Sequence, residues 1–333
     1  MTVLADTAVA DPEIARLLGE GARALARDGA TADELSPLAV PPDLDQALRT
    51  VLRAPDPLTG RLVVRGLLAF LPDPGPTPAH WSDARTESTR ALDLAVRIVA
   101  STLGRVFGWT GQQEGRLVHN ILPTREAEHQ QVGASSAVPL YWHSEDAFHP
   151  ERAGVLMLAC VRNPTGVGSR VASVREAGLT ERQLRVLERP DAAILPDDSY
   201  PEASRSGQDP AALRGIPTVW RSDDGPCIRY DPSYTRVLTD DPEFSRAYEE
   251  LGRALDRCGT TVPNEPGDLT LIDNDVAVHG RVPFRPRYDG TDRWLKRVLI
   301  RPNRQRPAVE STEDGFGQQT VAPSANSTLE TRP

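Results

Sequence analysis

Apolar residues return at helical spacing across residues 12–27, a stretch rich in Ala, Leu and Glu, with Asp11 standing where an N-cap belongs. Residues 86–107 carry a longer and more apolar pattern, which predicts a buried helix ended by Gly108. Between them, Gly60-Arg-Leu-Val-Val-Arg-Gly66 reads as a short strand. From Leu117 onward the pattern changes. Short apolar runs at 117–122, 140–142, 155–161, 228–230, 269–272 and 295–300 alternate with turns, and only 180–188 and 242–258 read as helices. Many short strands with long excursions predict a mainly β fold with flanking helices (α+β), and they suit a double-stranded β-helix, or jelly-roll, core. No internal repeat is visible.

The expected organisation is one domain over about 1–305, with the helices of about 1–110 packed on a core of about 111–305. Residues 196–221 are rich in Asp, Pro, Ser and Gly and lack periodicity. Loops this long in compact domains are functional or disordered, and a position between barrel strands reads as a lid over an active site. The tail, 306–333, is polar with few large apolar residues and reads as disordered.

Composition narrows the function classes without choosing one. A net charge of −9 and a pI near 5.3 argue against nonspecific nucleic-acid binding. Cys160, Cys227 and Cys258 are odd in number and lack metal-ligand spacing, so they read as thiols in a reducing cytoplasm. Asp6, Asp11 and Glu13 interrupt any N-terminal apolar run, which speaks against a signal peptide. No stretch approaches the ~20 apolar residues of a membrane helix.

The candidate chemistry lies in two distant segments. In Leu140-Tyr-Trp-His-Ser-Glu-Asp-Ala-Phe148, His143 and Glu145 stand at i and i+2, so a strand would point both to one face. His279, in Asp273-Asn-Asp-Val-Ala-Val-His279-Gly-Arg281, would complete a set of two histidines and a carboxylate. Such a set holds one face of an Fe(II) octahedron and leaves the other open. With 47 acidic residues and six histidines in 333, one His-x-acid pair is expected by chance, and His149-Pro-Glu151 is a rival. Pro150 and Arg152 mark that rival as a turn, whereas ionisable groups in the apolar run 140–148 need a partner or a metal. After His279, Arg293 and Arg297 flank Trp294-Leu295, and odd spacing puts 293, 295 and 297 on one strand face. A planar guanidinium pairs with a carboxylate through two parallel hydrogen bonds. A plain surface basic run fits the same spacing.

The order His143-x-Glu145, His279-Gly-Arg281, then Arg287-Tyr-Asp-Gly-Thr-Asp-Arg293-Trp-Leu-Lys-Arg297 resembles the clavaminate synthase-like Fe(II)/2-oxoglutarate oxygenases. Within that family it is most similar to the free-amino-acid hydroxylases, such as the arginine hydroxylases of viomycin and streptothricin assembly and asparagine oxygenase. The resemblance runs from about Pro76 to Arg304 and includes Phe107-Gly-Trp-Thr-Gly-Gln112, Ile121-Leu-Pro123, Arg162-Asn-Pro-Thr-Gly166 and Ile228-Arg-Tyr-Asp231. It implies the jelly-roll fold, Fe(II), 2-oxoglutarate as co-substrate and O2. It assigns iron to His143, Glu145 and His279, and the distal carboxylate of 2-oxoglutarate to Arg293, with Ser169 as a second donor. Arg297 would take the carboxylate of a free amino acid, Gln112 and the free oxygen of Glu145 its α-amino group, and Asp231 its side chain.

The chain departs from the arginine hydroxylases at Ser233, where they carry a second carboxylate, and at Gly133, where they carry a serine. One carboxylate with a hydroxyl suits arginine, lysine, or a neutral amide or ureido group. Hydroxylation and desaturation both stay open. So do two other classes, a cupin-like metal isomerase or sensor and a noncatalytic binding protein.

Overall fold

The computed structural model of the chain describes residues 6–84, 86–200, 213–308 and 315–323. Two sheets face one another, and helices cover both outer faces. The larger runs in the order Thr7–Val9, Arg61–Arg65, Leu269–Asp273, Val155–Arg162, Trp294–Arg301, Arg105–Trp109 and Thr320–Val321, with His119–Ile121 also paired to Trp294–Arg301. Its pairings are antiparallel except Thr7–Val9 with Arg61–Arg65. The smaller runs Thr260–Val262, Ser169–Ser173, Ala277–Arg281 and Leu140–His143.

The continuous apolar runs in the sequence follow from this layering, because a strand covered on both faces loses its polar alternation. In Val155–Arg162, Met157 and Ala159 join Leu62, Val64, Val298 and Ile300 under the helices Pro12–Arg27, Pro42–Val51 and Glu87–Leu103. Leu156 and Leu158 point the other way, with Val63, Leu295 and Leu299, and meet Val171 and Ala277 of the smaller sheet. The outer face of the smaller sheet packs Ala172 and Val278 against Val186 and Leu187 of Glu181–Leu187 and Phe244, Leu251 and Leu255 of Pro242–Cys258. Each fully buried Leu, Ile or Val contributes about 1.5–3 kcal/mol.

The alternation in Trp294–Arg301 fixes where its charges go. Leu295, Arg297 and Leu299 face between the sheets, while Lys296 faces the helices and pairs with Asp93 of Glu87–Leu103 at 2.6 Å. Among the described residues, no helix is long and apolar enough to cross a membrane.

Three expectations are corrected. The helix expected over 86–107 is Glu87–Leu103, and Arg105–Trp109 is a strand. Gly104 makes the break, because a Cβ there would come within 2.5 Å of the Arg301 carbonyl oxygen. The strand carrying His143 stops at that residue, so Glu145 stands in the following turn, where Asp146 has a left-handed φ of 51°. The tail does not lack structure throughout. Arg306 pairs with Asp275 at 2.8 Å, Phe316 packs on the core, and Thr320–Val321 pairs with Arg105–Trp109. One aromatic residue and two strand residues suffice, which composition averages away. Residues 309–314 and 324–333 lie outside the described residues, as do 201–212 of the expected lid. Phe316→Ala is expected to lower stability by about 1–3 kcal/mol, measured by denaturant unfolding; an unchanged midpoint would show that the tail does not dock.

Candidate active site

A cavity of about 520 Å³ opens between the sheets, and it collects most of the residues singled out above. His143 and His279 are Cα partners across adjacent strands of the smaller sheet, with ring centroids 4.1 Å apart. The register between these strands shifts after His279. Gly280 permits it, since a Cβ there would meet the Leu140 carbonyl oxygen at 2.6 Å. Glu145 completes the group from its turn, and one donor atom from each of the three residues lies within 4.8 Å of the others. Asn274, fully buried, clamps that turn. Its Oδ1 accepts from the Glu145 N–H at 2.7 Å, and its Nδ2 donates to the carbonyls of Glu145 at 3.0 Å and Ala153 at 2.9 Å.

The protonation states suit metal ligation. His143 Nδ1 donates to the Tyr141 carbonyl at 2.9 Å, leaving Nε2 as a lone-pair donor. Burial, aided by His279, pushes the His143 pKa down to about 3, so the ring is neutral. Burial pulls Glu145 upward, but Arg297 and both histidines hold its carboxyl well below the usual range. His279 Nδ1 has no hydrogen-bond partner among the described residues.

Arg297 sits beside the triad. Its Nη1 pairs with Glu145 Oε1, and its Nη2 donates to Gln112 Oε1 at 2.7 Å and to His119 Nδ1 at 2.6 Å. His119 can accept there because its Nε2 donates to the Arg116 carbonyl at 2.9 Å, and burial beside Arg297 keeps the ring neutral. Arg293 is buried without a carboxylate partner among the described residues. Its Nε donates to the Val167 carbonyl at 3.3 Å, and the oxygen of Asn264, turned toward it, accepts from Nη2 at 3.2 Å and from Ser169 Oγ at 3.0 Å. The Ser169 hydroxyl proton is therefore committed to Asn264 until a stronger acceptor enters.

Residues 91–299 match the family model described as "Taurine catabolism dioxygenase TauD, TfdA family". An enduracididine beta-hydroxylase from Streptomyces hygroscopicus is 35% identical, covering 73% of this chain and 76% of that one. An L-ornithine/L-arginine 3-hydroxylase from Catenulispora acidiphila is 33% identical, over 76% and 78%. This chain belongs to the TauD/TfdA dioxygenase family. Among solved structures, the non-heme iron oxygenase OrfP with Fe, succinate and (3S)-hydroxy-L-Arg matches with TM-score 0.76 and 34% identity, over 88% of this chain and 93% of that one. Asparagine oxygenase with Fe(II), 3-hydroxyasparagine and succinate matches with TM-score 0.75 and 29% identity, over 89% and 93%.

For a dioxygenase of this family the far end of the cavity is where the sequence expectations hold least well. Ser233 is exposed and not among the lining residues, and it contributes its backbone N–H to Asp231 Oδ1 at 3.0 Å. The pairing of a carboxylate with a Ser233 hydroxyl is thus corrected: Asp231-Pro-Ser turns the side chain outward. Asp231 is set back from the lining. Asp197, at the described base of the expected lid, does line the cavity, as do Glu114 and Asp198. Asp197 Oδ1 accepts from the backbone N–H of Ser199 at 2.8 Å and from Ser199 Oγ, which accepts from Gln112 Nε2 at 3.2 Å. Tyr200 donates to Asp146 Oδ1 at 2.6 Å, and Trp109 to its Oδ2 at 2.8 Å. Gly133 lines the cavity, and the rival His149 lies tilted against Trp109, ring centroids 4.1 Å apart.

His119, Asn274, Asn264 and Asp197 escaped the sequence reading. A histidine inside the apolar run 117–122 was the one available signal, because a buried imidazole needs partners on both nitrogens. Burial, with Asp197 nearby, pushes the Asp231 pKa up to about 8, and burial raises Asp197 to about 6. The folded state thus holds a proton on Asp231 that the unfolded chain loses above pH 3.8, so this group destabilises the fold progressively up to about pH 8. The stability advantage of Asp231→Asn over the wild type should grow across that window in thermal melts. A difference independent of pH would contradict the buried-carboxyl reading.

Proposed function

We propose that this protein is an Fe(II)- and 2-oxoglutarate-dependent dioxygenase that hydroxylates an unactivated carbon of a free basic L-amino acid, arginine first, in specialised-metabolite biosynthesis. The observation that carries the reading is one cavity with a His/Glu/His triad, a buried Arg293 lacking a carboxylate partner among the described residues, and Arg297 beside the triad. The relatives named for arginine, ornithine, enduracididine and asparagine support it. A cupin-type isomerase or sensor would have no use for Arg293.

The triad fits Fe(II), since the His143 imidazole is neutral, Glu145 is ionised, and His279 Nδ1 is a buried nitrogen that no described residue satisfies. When bound, the metal supplies activation of O2, with 2-oxoglutarate consumed to succinate and CO2 and one oxygen atom left on the amino acid. The protein residues bind and orient. Arg293, with Ser169 freed from Asn264, would take the distal carboxylate of 2-oxoglutarate. Arg297 would take the amino-acid carboxylate, Gln112 Oε1 and Glu145 its ammonium group, and Asp197 with Asp231 the cationic end. Fixing both ends leaves one C–H near the metal, and positional control of this kind accounts for a large part of catalysis.

We extend the same reading to the architecture. The facing sheets are the two sides of a double-stranded β-helix, residues 1–305 form one unit, and the lid expected over 196–221, cut short by the strand Val219–Ser222, carries Asp197 and Tyr200 at its base. Three free cysteines agree with a cytoplasmic location.

The test is succinate formation with Fe(II), ascorbate and 2-oxoglutarate across the amino acids, followed by the mass of the stimulating substrate. A gain of one oxygen on arginine or lysine is expected, and no stimulation by any free amino acid would reject the proposal. Arg293→Ala should raise the 2-oxoglutarate requirement about 10- to 100-fold, as expected for losing a charge-assisted hydrogen bond. Arg297→Ala should instead weaken amino-acid binding and release succinate without hydroxylation. Identical co-substrate defects in both variants would break this division of roles.

A further inference from the structure

Arg281 lies two residues beyond His279 on the same strand, so the two side chains share a face. Its Cα partner on the neighbouring strand is Ser169, and both residues line the cavity with Arg293. Arg281 is only 3% exposed. Its Nη1 donates to the Val282 carbonyl and its Nη2 to Ser135 Oγ, each at 2.8 Å, and the guanidinium lies over Phe284 at 4.9 Å. Its Nε has no partner among the described residues. None of these contacts is anionic.

Arg97 is buried on the Ala32 carbonyl with no ion pair among the described residues, but three other buried cations meet carboxylates. Arg297 meets Glu145, Lys296 meets Asp93, and Arg152 meets Asp275. At the co-substrate end, two guanidinium groups share one cavity wall, and no described carboxylate forms an ion pair with either. Burial lowers the pKa of each to about 10, and Arg293 adds to the lowering at Arg281. Burying like charges together without a counterion is costly, so a fold that keeps them has an anion to receive.

We propose that Arg281 supplies a second positive charge to the pocket for the distal carboxylate of 2-oxoglutarate, and so sets the preference for a dianionic 2-oxo acid over a monoanionic one. The inference rests on the oxygenase reading above. It differs from a bracing role, in which Arg281 merely ties the strand to Ser135.

The experiment is calorimetric binding to metal-loaded protein without oxygen or amino acid, comparing 2-oxoglutarate with 2-oxovalerate, which has the same chain without the distal carboxylate. Arg281→Met keeps an apolar stem against Phe284 and removes the charge. It should weaken 2-oxoglutarate about 10- to 100-fold and leave 2-oxovalerate nearly unchanged. Arg281→Lys, which keeps the charge, should restore much of the loss, and Ser135→Ala should leave both affinities alone. Melting of the ligand-free protein provides a separate readout. Relief of like-charge repulsion should leave the Met variant at least as stable as the wild type, with a smaller stabilisation by 2-oxoglutarate. Equal losses for both acids, wild-type affinity for 2-oxoglutarate, or a destabilised ligand-free protein with intact binding would overturn the proposal. Failure of the wild type to bind either acid would instead refute the oxygenase reading.

Discussion

The ion pair between Arg297 and Glu145 joins the two sheets at the point where the chemistry is assembled. Arg297 comes from the larger sheet and Glu145 from the turn that ends a strand of the smaller one. Two buried charges are tolerable only when each meets the other and its remaining hydrogen bonds are filled. Gln112 and His119 accept from Nη2 of Arg297, whose Nε has no partner among the described residues, while Asn274 fixes the backbone of Glu145. Removing either charge would leave the other uncompensated, a situation that typically costs about 3–5 kcal/mol. The pair therefore ties integrity of the fold to integrity of the site.

Around this pair the cavity is zoned by charge. Arg293 and Arg281 make one end cationic, the triad occupies the middle, and Asp197 lines the other end, with the protonated Asp231 set back behind it. A 2-oxo diacid and a basic amino acid differ in where their charges lie, so on the proposed function this zoning would orient both. The hydrogen-bonded run from Arg297 through Gln112 and Ser199 to Asp197 links the middle to the acidic end.

Much of this was legible in the sequence, for identifiable reasons. Strand alternation placed 293, 295 and 297 on one face, and the structure keeps Leu295 and Arg297 there with Arg293 at the strand entrance. The histidines could be paired because both lie in apolar runs that leave an ionisable group no other partner. What sequence could not supply was register and turn geometry. Glu145 reaches the cavity from a turn with a left-handed Asp146, not from a strand. Asp197 comes from an aperiodic loop, where no pattern links position to direction. Ser233 took its expected role from a two-residue spacing that Pro232 redirects. The helix end at Gly104 depended on a close approach to Arg301, a contact nearly 200 residues away in the chain and invisible to local periodicity.

The central claim is that His143, Glu145 and His279 form one metal-binding unit. Titration of metal-free protein with Fe(II), with oxygen excluded, tests it most directly. One equivalent should bind the wild type, and His279→Ala should lose saturable binding over the same concentration range while keeping a cooperative melt. Unchanged affinity in that variant would mean that the iron lies elsewhere.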